Sequence, residues 1–275
     1  MDIDPLTLLE NPEAHLHPTT LASIWSMIDR IAGQKIIATH SGTLLANARL
    51  ASVRRLTRHA GLVKEWLVPG DALSGDELRR YSYHLRSRRA AASFARCWLL
   101  VEGETEFWVM SELARVCGYD FASEGVACVE FAQCGLGVLV KVARYLGIEW
   151  HLLADGDEAG RYYAHSAGQF AGKSRLQDRI TVLTDRDMEH CFWKHGYEDV
   201  FRKAAFPRDF AAGSAASPRV PAKAVISRAI DRKSKPYIAA LLLDAAINRG
   251  PAGIPPALKS VIETCIRLAR HGSTR

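Results

Sequence analysis

The sequence predicts an α/β fold, a parallel sheet flanked by helices, with a partial α/β segment before it and a small helical region after it. Two observations carry that expectation. Short apolar runs alternate with stretches of helical period, the pattern of strands joined by helical crossovers. Two of those runs also end in acids: Trp98-Leu99-Leu100-Val101 empties into Glu102-Gly103-Glu104-Thr105-Glu106, and Trp150-His151-Leu152-Leu153-Ala154 into Asp155-Gly156-Asp157. Open α/β sheets bind ligands in the crevice beyond the carboxyl ends of their strands.

The elements follow in order. Leu6-Thr7-Leu8-Leu9 reads as a short buried strand, followed by Glu10-Asn11-Pro12-Glu13-Ala14-His15-Leu16-His17-Pro18 and a helix from about Thr19 to Ile31. A second strand, Lys35-Ile36-Ile37-Ala38-Thr39, precedes His40-Ser41-Gly42. Two strands and one helix cannot close a core, so this segment needs more chain upstream or a partner surface. From Thr57 to Arg89 the pattern loosens, with turns at Pro69-Gly70-Asp71 and Ser74-Gly75. Arg79, Arg80, Arg86, Arg88, Arg89 and Arg96 crowd a stretch that also holds Tyr81, Tyr83 and Phe94. Such a run could track phosphates and stack on bases, although a solvated linker face is the more ordinary use of several of these arginines.

After Glu102 the period turns helical, with Phe107, Val109, Met110, Leu113, Ala114 and Val116 on one face and Gly118 placed to cap the end. If that helix starts near Glu104, Glu106 lies in its first turn and leans back toward Glu102. A strand is expected at Val126–Phe131, a helix opening at Gly135-Leu136-Gly137, the strand ending at Ala154, a helix from about Glu158, and the strand Ile180-Thr181-Val182-Leu183. Pro207 to Pro221 is a Pro/Ala/Ser/Gly-rich connection into helices near 222–232, 237–248 and 257–270. The expected division is 1–65, a basic linker over 66–95, a sheet domain over 96–206 and a helical region over 207–275.

Composition points to an acidic partner. With 36 Lys+Arg against 30 Asp+Glu, the formal net charge is +6, so the surface away from the acidic clusters must be basic and nucleic acid is the obvious polyanion. The 6 cysteines form no C-x-x-C pair, which argues against a zinc ribbon or disulfide scaffold and suits reduced thiols in the cytoplasm. No apolar stretch approaches the roughly 20 residues that span a bilayer, and the amino terminus lacks a secretory pattern, so no membrane partner is expected.

The acids are the chemistry. If the two runs are neighbouring strands, Glu102, Glu106, Asp155 and Asp157 share one small volume, where unpaired charges raise one another's pKa values and a divalent cation removes the conflict. Oxygen-only ligands favour magnesium or manganese over zinc. Asp155 and Asp157 face the same way if the chain is extended there, and Gly156 lets the backbone come close to an ion or phosphate. Alone, Asp-Gly-Asp is a common exposed turn; joined to a strand-borne Glu102 it is hard to obtain by accident.

Leu100-Val101-Glu102-Gly103 followed by Asp155-Gly156-Asp157 resembles the Toprim signature of topoisomerases, bacterial primases and certain nucleases. Preceded by Asn11-Pro12-Glu13-Ala14-His15-Leu16-His17-Pro18 and Ala38-Thr39-His40-Ser41, it resembles the OLD (overcoming lysogenization defect) family of ATP-dependent endonucleases, whose motifs of that kind sit late in an ABC-type ATPase. The resemblance implies a Toprim sheet after a partial ATPase segment, and two-metal cleavage of DNA. It makes Glu102, Glu106, Asp155 and Asp157 ligands of two magnesium or manganese ions, with Glu189 of Asp187-Met188-Glu189 as a further ligand. Lys235 of Ser234-Lys235-Pro236 takes the place of the family's functional lysine, whereas composition alone would leave it a solvent lysine before a Pro-started helix. Glu10 and Asn11 stand where related ATPases carry an Asp-Glu pair, and an amide cannot accept a proton from the attacking water. His40 resembles the histidine that senses a γ-phosphate, and the same motif accounts for His15 and His17 better than a metal does. No G-x-x-x-x-G-K-[ST] loop is present, so ATP would enter only with an upstream ATPase portion, the region through which a homo-oligomer would also form. The other readings are a catalytically silent DNA-binding or assembly module, and a topoisomerase or primase, for which a nucleophilic tyrosine domain and a zinc module are not evident.

Overall fold

A computed structural model describes residues 5–84, 90–172, 176–207 and 220–271. The chain divides into two compact units, Met1–Ala95 with Gln133–Ile148, and Arg96–Ala132 with Glu149–Arg275.

The first unit opens with β1 (Leu6–Glu10), α1 (Pro18–Arg30) and β2 (Gln34–Ala38). The strands pair in parallel from Leu6 opposite Gln34 to Glu10 opposite Ala38, with α1 as the crossover that parallel pairing demands. Leu8 and Ile36 are 66% and 55% exposed, so Leu6-Thr7-Leu8-Leu9 is not the buried strand expected of it. Two strands and one helix present too little apolar surface to cover both faces of the pair.

Next come α2 (Gly42–Asn47), β3 (Arg55–His59), β4 (Leu62–Trp66) and α3 (Gly75–His84). These elements correct the expectation of a loose stretch after Thr57. β3 and β4 form an antiparallel hairpin that turns through Ala60 and Gly61 at φ 48° and 81°, both left-handed as a primed two-residue turn requires. Ser74-Gly75-Asp76-Glu77 is a capping box rather than a turn: Ser74 Oγ accepts the Glu77 N–H at 3.2 Å, and Glu77 Oε2 accepts the Ser74 N–H at 2.9 Å. Arg79 and Arg80 pair with Asp76 at 3.2 and 3.0 Å while staying at the surface, whereas Tyr81 is buried, so that ring is not available to stack on a base. Arg86, Arg88 and Arg89 lie outside the described residues.

The chain enters the second unit through β5 (Cys97–Val101), α4 (Glu104–Val116) and β6 (Val126–Glu130), returns to the first for α5 (Leu136–Tyr145), and continues in the second from β7 (Glu149–Ala154) onward. Inside the first unit Lys141 of α5 meets Glu77 of α3 at 2.6 Å, and the Arg55 guanidinium donates to the carbonyls of Leu146 at 2.7 Å and Ala95 at 2.9 Å. Gly147, at φ 61°, has no room for a side chain because the Trp66 ring lies 2.3 Å from where its Cβ would stand.

The remaining elements are α6 (Glu158–Gly168), α7 (Leu176–Arg179), β8 (Ile180–Val182), α8 (Met188–Phe192), α9 (Glu198–Ala205), α10 (Ala222–Lys233), α11 (Lys235–Arg249) and α12 (Pro256–His271). The second unit is built on a four-stranded sheet in the order β6-β5-β7-β8, parallel throughout. Every residue of β5 is buried, the mark of a parallel strand covered on both faces. Leu99 and Val101 share a core with Val109, Met110 and Leu113 of α4, Leu242 and Leu243 of α11, and Leu258, Ile262 and Cys265 of α12. His151 is buried in β7, bridging the Asp178 carbonyl at 3.1 Å and Thr181 Oγ1 at 2.9 Å, and burial holds its pKa down at about 4, so the imidazole is neutral. α8 and α9 have no counterpart among the expected elements, and most of the Pro207–Pro221 connection lies outside the described residues. Among the described residues no helix is long and apolar enough to cross a membrane.

Candidate metal centre

The register of the central strands sets the site. β5 and β7 pair from Cys97 opposite Glu149 to Leu100 opposite Leu152, so they end side by side and Glu102 and Asp155 leave the same edge of the sheet. Gly103 caps α4, whose first turn presents Glu106; Glu106 Oε2 lies 3.0 Å from where a Gly103 Cβ would stand, so the glycine leaves room for that carboxylate. Asp157 caps α6, its Oδ1 accepting the Gly160 N–H at 2.8 Å. Asp187 caps α8, its Oδ1 accepting from the His190 N–H at 2.9 Å and meeting His190 Nδ1 at 2.6 Å, and Glu189 sits buried in the first turn of that helix. Three helix amino termini therefore point their acids into one region, where each helix dipole favours negative charge.

Two expectations need correction. The strand does not run on through Asp155-Gly156-Asp157: β7 stops at Ala154 and the chain bends at Gly156 and Asp157 into the cap of α6, although Asp157 itself keeps an extended backbone. Nor does Gly156 serve the close approach of a ligand. Its missing Cβ would stand 2.3 Å from the Asp185 carbonyl oxygen and 2.4 Å from that of Leu183, and its N–H donates to the same Asp185 oxygen at 3.1 Å. The glycine lets the loop after β7 lie flat against the chain leaving β8.

Lys235 meets the acids directly. Its Nζ lies 2.9 Å from Glu106 Oε1 and 3.5 Å from Glu189 Oε1. It is delivered by a one-residue break between α10 and α11, where Ser234 takes φ 80° and ψ 153°. That region is essentially reserved for glycine, and an L side chain there stores about 1–3 kcal/mol of strain. Ser234→Gly is expected to raise the stability of the chain by about 1 kcal/mol, read as the midpoint of urea unfolding at unchanged slope. An unchanged or lower midpoint would show that the turn holds no strain.

The electrostatics describe a charge deficit. Burial, followed by the neighbouring Glu106, pushes Asp155 up to about 7, with Asp187 and Glu189 adding to the effect. Burial also raises Glu102, with Glu106 and Asp157 contributing, and raises Glu189. Burial works against the Lys235 ammonium, yet Glu189 and Glu106 hold its pKa above the ordinary range. One lysine cannot neutralise Glu102, Glu106, Asp155, Asp157, Asp187 and Glu189 together. An all-oxygen donor set with this much unneutralised charge fits hard divalent cations.

Glu102, Glu106, Asp155, Asp157, Glu189 and Lys235 thus act on one another within one region. Glu10, Asn11 and His40 belong to the first unit: Glu10 ends β1, Asn11 takes φ 45° with its N–H on the Ala38 carbonyl at 2.8 Å, and the His40 N–H donates to Glu13 Oε1 at 2.9 Å. Two further residues at the centre were not expected. Asp187 acts on both Asp155 and Glu189, and the Tyr163 phenol is raised by burial and by Glu102 and Asp157 beside it. A sequence signal existed for the first, since acids at alternate positions, Asp185, Asp187 and Glu189, follow a third strand.

Comparison with known proteins agrees with this architecture. Residues 94–157 match the family described as "Overcoming lysogenization defect protein-like, TOPRIM domain", and residues 2–92 match a protein family of unknown function, DUF2813. The chain is 42% identical over 272 residues to the "Uncharacterized protein YbjD" of Escherichia coli (strain K12), covering 98% of this chain and 48% of that protein, so it spans about half the length of this curated relative. The C-terminal region of the Burkholderia pseudomallei OLD protein superposes with a TM-score of 0.50 at 17% identity, over 63% of this chain and 98% of that one. The C-terminal region of the Xanthomonas campestris pv. campestris OLD protein does so with 0.50 at 19% identity, over 65% and 99%. At these identities the superpositions speak for the fold, and the sequence match speaks for the domain. Residues 94–157 of the chain thus form an OLD-like Toprim domain.

Proposed function

We propose that the chain is a divalent-metal-dependent endonuclease that hydrolyses DNA phosphodiester bonds at the acidic centre. The observation that supports this most is the set of buried and half-buried carboxylates beyond the ends of β5, β7 and β8 with Lys235 beside them. Glu102, Glu106, Asp155, Asp157 and Glu189 would hold the ions, with Asp187 beside them. When bound, two magnesium or manganese ions activate a water and stabilise the leaving oxygen of an in-line displacement.

The protein's own groups supply the rest. Asp157 and Asp187 are fixed by their helix caps, so two of the carboxylates keep their orientation before any ligand arrives. Lys235, whose side chain is 40% exposed, can turn its ammonium from Glu106 toward a phosphate and offset the charge that develops there. The formal charge of +6 draws a polyanion toward the molecule. In the first unit, Asn11 offers no base for ATP hydrolysis.

Supercoiled plasmid incubated with the chain in magnesium or manganese is expected to yield relaxed and linear DNA, and to stay supercoiled in chelator. Binding of DNA with no product in either metal would overturn the reading in favour of a silent binding module.

A further inference from the structure

One cluster of ligating side chains adjoins the carboxylate centre, close enough for Asp155 to act on its thiol, but brings sulfur and nitrogen donors that the centre lacks. Asp185, just beyond β8, is 4% exposed, Cys191 of α8 is 1% exposed, and His195 lies at the surface. A carboxylate oxygen, the thiol sulfur and an imidazole nitrogen from these three all lie within 4.8 Å of one another. The backbone makes a detour to achieve it. Between α8 and α9 the helical path breaks, with His195 at φ −97° and ψ 29° and Gly196 at φ 91°. The break brings His195 Nδ1 to 2.7 Å from the Cys191 carbonyl oxygen and 3.9 Å from its Sγ. Ligation through Nδ1 would exchange that carbonyl contact for the ion.

We propose that Asp185, Cys191 and His195 form a second metal site that takes a borderline divalent ion of the zinc type. Sulfur and imidazole nitrogen select such an ion over magnesium, just as the oxygen-only centre selects the reverse. Charge balances as well: one carboxylate and one thiolate neutralise a doubly charged ion, leaving no net charge at two buried positions. Without an ion, the counter-charge of Asp185 is the ammonium of Lys194, whose side chain is 65% exposed and can move out to water. On binding, the thiol proton passes to solvent, Lys194 leaves the carboxylate, and nothing is oxidised or reduced. Three protein ligands leave the fourth position of a tetrahedral ion to water. The ion would tie the exit of β8 to α8, the helix that carries Glu189, and so brace one side of the carboxylate centre.

The proposal does not depend on the nuclease reading, and the test is a binding spectrum on the full chain. Titration with cobalt(II) chloride is expected to produce thiolate-to-cobalt absorption that saturates at about one ion per chain. Cys191→Ser should abolish the band, and His195→Ala, a change at the surface, should weaken binding at least about tenfold, the scale at which even outer-shell partners act. Asp155→Asn should leave the band intact, since that carboxylate belongs to the other centre. Absence of the band in the unaltered chain, or its survival in both Cys191→Ser and His195→Ala, overturns the proposal. If Cys191→Ser fails to fold, the His195→Ala titration decides alone.

Discussion

Asp155→Asn is expected to lower metal-dependent cleavage at least about 100-fold while making the metal-free chain more stable. The two effects come from one cause. Asp155 is pushed up to about 7 by burial and by Glu106, against an ordinary value of 3.8, so the folded chain favours its protonated form. A raised pKa means stability that is fully present below the unfolded value and is lost as pH rises through the folded one. In chelator, therefore, the unaltered chain loses stability between about pH 4 and pH 7, by an amount on the order of 2–4 kcal/mol. An amide of the same shape carries no charge to desolvate. The variant should equal the parent near pH 4 and exceed it by about 2 kcal/mol at pH 8, measured by urea unfolding in chelator. Manganese should raise the melting temperature of the parent at pH 8 and leave that of the variant nearly unchanged. A variant less stable than its parent at pH 8 would mean that Asp155 is stabilised by its surroundings rather than strained by them, and the argument for a cation there would lose its basis.

How far the centre could be read in advance depended on the distance between cause and residue. β5 and β7 were legible because strands buried on both faces leave continuous apolar runs, and because the acids that matter lie within a few residues of the strand ends. The tilt of Glu106 toward Glu102 followed from helix geometry once the start at Glu104 was placed. Lys235 was different. It stands 129 residues from Glu106, and nothing around Ser234-Lys235-Pro236 distinguishes a solvent lysine from one facing carboxylates; only the family resemblance pointed to it. The need for glycine at Gly156 is hidden for the same reason, since the carbonyls that crowd it come from Leu183 and Asp185 across the sheet. The hairpin of β3 and β4 escaped notice because charged side chains, Arg55, Arg58, Lys64 and Glu65, break any clean alternation, and its turn uses Ala60 in place of asparagine. The capping box at Ser74 is visible as a pattern, but Gly75 and Asp76 suit a turn equally well.

Lys235→Ala separates a lysine that supports the acids from one that also works on the phosphate. Removing the ammonium leaves Glu106 and Glu189, 2.9 and 3.5 Å from it, without their counter-charge. Losing one partner of a fully buried pair costs about 3–5 kcal/mol, but 40% of this side chain is exposed and solvent screens part of the interaction, so a loss of about 1–2 kcal/mol in chelator is expected. A divalent ion supplies the missing charge more fully than the lysine did, and it no longer competes with an ammonium for Glu106. Manganese should therefore raise the melting temperature of the variant by more than it raises that of the parent. Stability regained in this way does not replace a positive charge at the phosphate, so cleavage at saturating manganese should remain down by about 100-fold or more. Lys235→Arg would keep the charge on a wider, planar head, restoring stability in chelator more completely than activity. If manganese restores both stability and cleavage to Lys235→Ala, the lysine only balances the carboxylates, and the charge that the phosphate needs must come from elsewhere in the second unit.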